Sequence, residues 1–162
     1  MTITKEHILR LLEEVCDPEI PVLSILDLGI VRDVVLSNPI EIIITPTYSG
    51  CPAMDAIAID IKLRLAEAGI KNTTISYVLN PAWTTDWMSE RGKEKLLAYG
   101  IAPPVGLASR VNNLLFEEQT HIVCPLCKSN NTELISEFGS TSCKSLYKCN
   151  DCKEPFDHFK CH

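Results

Sequence analysis

Ile42-Ile43-Ile44-Thr45-Pro46-Thr47-Tyr48-Ser49-Gly50-Cys51-Pro52-Ala53-Met54 reads as a buried strand, a polar loop and the start of a helix. Three consecutive β-branched residues ended by Pro46 predict the strand. Pro52 suits a first helical position, where its missing N–H would have no partner in any case. Met54, Ile57, Ile61 and Leu65 then recur at helical spacing, and Gly69 marks the end. This places Cys51 at the N-cap, facing unpaired amides and the positive end of the helix dipole. Both favour a thiolate, the form that attacks and binds metal. The alternative is a small buried hydrophobe at a turn. The polar neighbours Thr47, Tyr48 and Ser49 argue for the functional reading.

Working outward, Thr4 can cap a first helix reaching about Val15, with Ile8, Leu11, Leu12 and Val15 as its apolar stripe. Cys16-Asp17-Pro18-Glu19-Ile20-Pro21 stops it, and Asp27-Leu28-Gly29 reads as a turn. Ile30–Leu36 and Ile40–Thr45 form an antiparallel pair, and Thr73–Leu79 is a third strand. The order helix-strand-strand-helix-strand predicts an α+β fold, a small mixed sheet with helices on one face. Thr84 or Thr85 caps a further helix carrying Trp87, Met88, Leu96, Leu97 and Tyr99, ended by Gly100. The first domain is expected over 1–101 and a linker able to pair over 102–120, whose Val111, Leu114, Leu115 and Phe116 could dock on either domain. No internal repeat stands out.

From 121 to 162 the composition changes. Cys124-Pro125-Leu126-Cys127 and Cys149-Asn150-Asp151-Cys152 are two knuckles separated by 21 residues. Glu133–Phe138 and Ser145–Lys148 read as a hairpin between them. Two Cys-x-x-Cys pairs on hairpins make a tetrahedral thiolate cage, so this segment is expected to be a zinc ribbon. So short a domain buries too little apolar surface to fold unaided, and a metal accounts for it. Iron in the same cage and two disulfides are the alternatives. Cys143 reads as packing, while His158, Cys161 and His162 read as a mobile tail.

The net charge of −6 over 162 residues lies in the first 120 residues, and no basic patch stands out. Nucleic-acid binding is therefore not expected. The chain shows no signal-peptide pattern and no apolar run long enough for a membrane span, so a cytoplasmic protein without membrane contact is expected.

Three motifs, Asp17-Pro18-Glu19-Ile20-Pro21, Asp27-Leu28-Gly29-Ile30-Val31 and Thr47-Tyr48-Ser49-Gly50-Cys51-Pro52, resemble the SufT-like iron–sulfur cluster assembly domain over residues 4–79. Trp83-Thr84-Thr85-Asp86-Trp87-Met88, Gly100-Ile101-Ala102-Pro103-Pro104, Phe138-Gly139-Ser140-Thr141 and Glu154-Pro155-Phe156-Asp157 extend the likeness. With them, essentially the whole chain resembles the PaaD (PaaJ) family, small subunits encoded with the bacterial phenylacetyl-CoA epoxidase. The resemblance implies an accessory subunit of a multicomponent monooxygenase in aerobic phenylacetate catabolism. Such a subunit would not itself perform the oxygenation; it would mature or maintain an iron or iron–sulfur centre of the complex. Its implied partners are the oxygenase and reductase subunits or iron–sulfur assembly proteins, with a homodimer left open.

In that role Cys51 would hold iron or a cluster transiently. Asp17 and Glu19 are candidate labile ligands, although Asp-Pro-Glu is also an ordinary helix stop. Thr47 and Ser49 could donate to the thiolate or merely satisfy the loop backbone. Phe138, Phe156 and Phe159 could dock a client or pack the ribbon. Two rivals stand beside this. One is a structural adaptor with Cys51 incidental. The other is a thiol enzyme with Cys51 as nucleophile and His7 as base, although His7 reads better as an exposed helix residue. The paired Glu-x-x-His motifs of a diiron bundle are absent.

Overall fold

The isoleucines at 40–44 set the first sheet. Ile42 and Ile44 are fully buried and Ile43 is half-buried on the other face, the period of two that a strand imposes. We describe residues 3–105 and 121–160 of a computed structural model, which divides into two compact units, Met1–Gly92 and Lys93–His162. In the first unit α1 (Lys5–Leu12) leads to β1 (Val31–Val35), β2 (Ile40–Ile44), α2 (Ala53–Glu67) and β3 (Thr73–Tyr77). β1 pairs antiparallel with β2, and β2 pairs parallel with β3, with Ile42 opposite Ile75. The sheet is mixed, as expected. The parallel pair requires a crossover, and α2 supplies it. The helices pack on each other, α1 against β1 and α2 against β3. Ile8, Leu12, Ile57, Ile61 and Leu65 are the buried faces. Each such side chain stabilises the fold by about 1.5–3 kcal/mol.

Helix ends differ from expectation by a few residues. The Thr4 side chain accepts from the His7 amide, so α1 begins as predicted. It stops at Leu12, after which the Glu14 and Val15 amides bond to carbonyls three residues back. Val15 is buried all the same, delivered by that tightened turn. α2 ends where Gly69 turns left-handed, with the Ile70 amide on the Leu65 carbonyl at 2.8 Å. Beyond the predicted stripe, α2 also carries Ile59 and Leu63 on its exposed side.

The helix expected from Thr84 is two pieces. Thr85–Trp87 is a single 3-10 turn, Met88 is extended, and α3 runs Glu90–Tyr99. The break is imposed by Asp27, whose carbonyl takes the Ser89 amide and whose carboxylate takes Ser89 Oγ at 2.9 Å and Arg91 Nε at 3.0 Å. The same turn accepts Trp83 Nε1 at the Leu28 carbonyl, 2.8 Å. Gly29 (φ +69°) lies so close to Trp87 that a Cβ would stand 2.2 Å from its carbonyl oxygen. Arg32 covers the Trp87 ring at 3.7 Å. Asp27-Leu28-Gly29 and Trp83–Met88, two motifs of the family resemblance, are thus one packing unit.

The second unit holds β4 (Thr132–Ser136), β5 (Lys144–Cys149) and β6 (Pro155–Phe159), an antiparallel sheet in that order. β6 goes beyond the predicted hairpin. It corrects the mobile-tail reading of His158, which lies in β6 and is buried. Phe156 and Phe159 are buried as well, so they pack the ribbon and are not docking contacts; Phe138 is exposed. Ala102, the first residue of the linker able to pair, is bonded to β6 on both sides, to the Asp157 carbonyl at 2.8 Å and from the Phe159 amide at 2.9 Å. It joins Ile122, Cys124, Cys149 and Phe156 in a small core. The division at Gly92 also falls earlier than residue 101. The rest of the predicted linker from 106, and Cys161 and His162, lie outside the described residues. Among the described residues no helix is long and apolar enough to cross a membrane.

Candidate functional site

Two short turns of one shape build the first candidate site. In each, a Cys-x-x-Cys is followed by a lysine in the left-handed region, Lys128 at φ +65° and Lys153 at +68°. Each lysine ammonium donates back into its own turn, Lys128 to the Pro125 carbonyl at 2.7 Å and Lys153 to the Asn150 carbonyl at 2.5 Å. Cys-Pro-Leu-Cys-Lys and Cys-Asn-Asp-Cys-Lys are therefore a structural repeat. Only the cysteine spacing and the trailing lysine signal it in the sequence. Asp151 ties the turns together by accepting from Ser129 and, at 2.9 Å, from Asn131 Nδ2.

The turns bring four sulfurs together. Cys124, Cys127, Cys149 and Cys152 all lie within 4.8 Å of one another. Cys124 and Cys152 are 3.8 Å apart, and Cys127 and Cys149 3.4 Å. A tetrahedron with metal–sulfur bonds of about 2.3 Å has edges of about 3.8 Å, so the set fits a four-coordinate ion. A disulfide needs about 2.05 Å, which these separations exclude. Electrostatics agree. The Cys152 amide, with help from Asp151 and the neighbouring sulfurs, pulls the Cys149 thiol down to about 6 against the effect of burial. Cys152 receives the Glu154 amide, yet burial and the three other sulfurs push it up to about 12. One thiolate forms readily and a second is resisted, so a cation is what lets all four ionise.

The Cys51 loop has a different geometry. Gly50 is left-handed (φ +78°), and the Cys51 amide bonds to the Tyr48 carbonyl at 3.2 Å. The Cys51 carbonyl then accepts from the Met54 amide at 3.2 Å. Two consecutive turns use both backbone groups of Cys51, so α2 starts two residues later. Pro52 is the N-cap, and Cys51 precedes it by one residue. This corrects the N-cap assignment: Cys51 sits just outside the helix. It is half-buried and in no disulfide.

The candidate partners of Cys51 divide between two clefts. Asp17 Oδ1 accepts the Glu19 and Ile20 amides, each at 2.8 Å, which shapes the turn after α1. Asp17 lines a cleft of about 380 Å³ against the outer face of α2. Thr47 and Ser49 line a second cleft, of about 150 Å³, with Thr45, Leu79 and Trp83. Cys51 lines neither. Among the described residues it belongs to no cluster of three potential ligands, and Asp17 and Glu19 are not gathered with it into one. His7, expected to be exposed, is half-buried, with Nδ1 enclosed and without a partner. Cys143 is buried with Thr141 Oγ1 at 3.0 Å, outside the cage. Sequence reading placed Asp27 in a turn but missed Arg91 and the link between the two. A buried carboxylate bound to an arginine 64 positions away leaves no local pattern.

Comparison with known proteins follows the same division. Residues 5–76 match the family described as "Iron-sulfur cluster assembly protein", and residues 108–160 match "PaaD zinc beta ribbon domain". An Escherichia coli (strain K12) protein, named as a putative subunit of 1,2-phenylacetyl-CoA epoxidase, is 46% identical over 96% of this chain and 92% of its own length. The Bacillus subtilis (strain 168) "Fe-S protein maturation auxiliary factor YitW" is 40% identical over 60% of this chain and 94% of its own. Among solved structures, "Domain of Unknown Function DUF59 from Bacillus anthracis" aligns at TM-score 0.52 and 32% identity, covering 57% of this chain and 90% of that one. Identity at this level along nearly the full length of both chains places the protein in the PaaD family, an iron–sulfur cluster assembly domain joined to a zinc β-ribbon.

Proposed function

We propose that the protein is an accessory subunit of a phenylacetyl-CoA epoxidase complex that matures or maintains an iron or iron–sulfur centre of that complex. The relative in Escherichia coli supplies the complex, and the maturation factor in Bacillus subtilis supplies the kind of work. The observation that carries the reading is the contrast between the two sulfur sites. Four sulfurs close a cage in the ribbon, while Cys51 stands half-buried on a turn outside any ligand cluster among the described residues. A closed four-ligand site keeps its metal; a lone sulfur can bind cargo and release it. Zinc, held by Cys124, Cys127, Cys149 and Cys152, orders the ribbon and takes no part in transfer. Cys51 supplies one thiolate to iron or a cluster, with the remaining ligands coming from the donor or client. The partners are the oxygenase and reductase subunits, or assembly proteins that feed them.

Anaerobic purification with metal analysis tests this. The wild type and Cys51→Ala should both carry one zinc per chain. Only the wild type should accept iron, and the epoxidase matured beside Cys51→Ala should be iron-poor and slow. Normal maturation with Cys51→Ala would select the second reading, a structural adaptor. That reading is favoured by one observation, that Asp17 already serves the turn backbone and is not gathered with Cys51.

A further inference from the structure

The 380 Å³ cleft of the first unit lies between the loop after α1 and the outer face of α2. Its walls are apolar at Val15, Pro18, Pro21 and Leu63. Leu63 is 57% exposed and Ile59, one turn earlier on α2, is 65% exposed, so an aliphatic strip runs out of the cleft along the helix. A water-facing side of a helix does not normally carry this pair. Four carboxylates, Glu14, Asp17, Asp60 and Glu67, line the cleft against one cation, Arg64, and Lys62, exposed three residues after Ile59, adds a second cation beside the strip. Arg64 is already held, by Glu14 at 2.5 Å and Glu67 at 3.4 Å. Asp60 makes no ion pair among the described residues.

From this charge pattern we infer that the cleft and the Ile59–Leu63 strip dock a basic segment of a partner protein, with an aliphatic side chain inserted between the loop and α2. Apolar walls give the anchor a place to bury, and the carboxylate rim selects positive charge and speeds encounter. A second copy of this chain fits poorly, because two such rims would repel. The inference does not depend on Cys51 carrying metal. It assigns the face by which a basic partner is held, whichever centre is served.

Fluorescence anisotropy with a labelled lysine–leucine heptapeptide tests it, beside matched peptides with serine or glutamate in place of lysine. The lysine peptide should bind about tenfold tighter than the serine peptide, and the glutamate peptide should not bind. Asp60→Lys with Glu67→Lys should weaken the lysine peptide about tenfold, and Leu63→Ser roughly threefold. Glu133→Lys with Glu137→Lys, on exposed positions of the ribbon, should leave it unchanged. All these side chains are exposed, and unchanged circular dichroism and zinc content verify the fold. Equal binding of the serine peptide, equal weakening by the ribbon variant, or no binding of the lysine peptide would each overturn the inference. So would sedimentation showing a dimer that Leu63→Ser abolishes, since that assigns the strip to a second copy.

Discussion

The two units solve the same problem, holding sulfur in place, with opposite means. The first buries an aliphatic core of Ile8, Leu12, Ile42, Ile44, Ile57, Ile61 and Leu65 and leaves Cys51 on a turn at its edge. The ribbon gathers a core of only five buried residues, Ala102, Ile122, Cys124, Cys149 and Phe156, two of which are cage ligands. In the first unit the fold positions the thiol. In the second the thiols, once a metal joins them, hold the fold. A sulfur the fold does not need can be replaced without unfolding it, and a sulfur the fold depends on cannot.

Removing one cage ligand should break this contrast most visibly. Cys149→Ser should lose zinc and unfold the ribbon, because binding of structural zinc contributes on the order of 10 kcal/mol. Metal analysis and amide exchange would detect it, and the first unit should keep its protection. Cys51→Ala should change neither zinc content nor melting. The first unit has its own point of failure in Asp27→Ala. It leaves the buried Ser24 amide and Ser89 Oγ without their acceptor, while the half-exposed Arg91 keeps Glu13, and should cost about 2–4 kcal/mol in urea unfolding.

Acid should separate the units next. Burial, and secondarily Lys160, hold His158 down at about 4. Its folded value lies below its unfolded one, so below the unfolded value the unfolded chain binds the extra proton. Its contribution is whole above about pH 6.5 and is lost as pH falls towards 4, on the order of 3 kcal/mol in all. Thiolate protonation weakens the cage in the same direction. The slope that disappears in His158→Phe therefore isolates the imidazole. The glycines give the smallest effects. Gly29→Ala, strained and blocked by Trp87, should cost about 2–3 kcal/mol. Gly50→Ala is strained in backbone only, with open space around it, and should cost about 1 kcal/mol.

Much of the first unit is legible in the sequence. Strand pairs, the Pro46–Pro52 loop and the α2 stripe follow from periodicity and from residues with restricted backbones. The features that escape have a common cause. The helix from Thr84 breaks because Asp27 claims the Ser89 amide. β6 reads as a tail because its pairing partner, Lys144–Cys149, lies across the second knuckle. Phe156 and Phe159 read equally as docking contacts or as ribbon packing, because burial is not written locally in so short a ribbon. Ala102 reads as part of a linker able to pair, since nothing in Gly-Ile-Ala-Pro-Pro says that its partner is β6 on both sides.

The sequence alone determined the four-sulfur cage and the strand–loop–helix around Cys51, because ligand spacing, β-branching and the φ limits of proline and glycine act within a few residues. Only the tertiary structure decided that Cys51 stops short of its helix and that Gly29 must admit Trp87. The same holds for His158 lying inside the ribbon. These rest on hydrogen bonds and packing completed when distant segments meet, and no short window of sequence contains both partners.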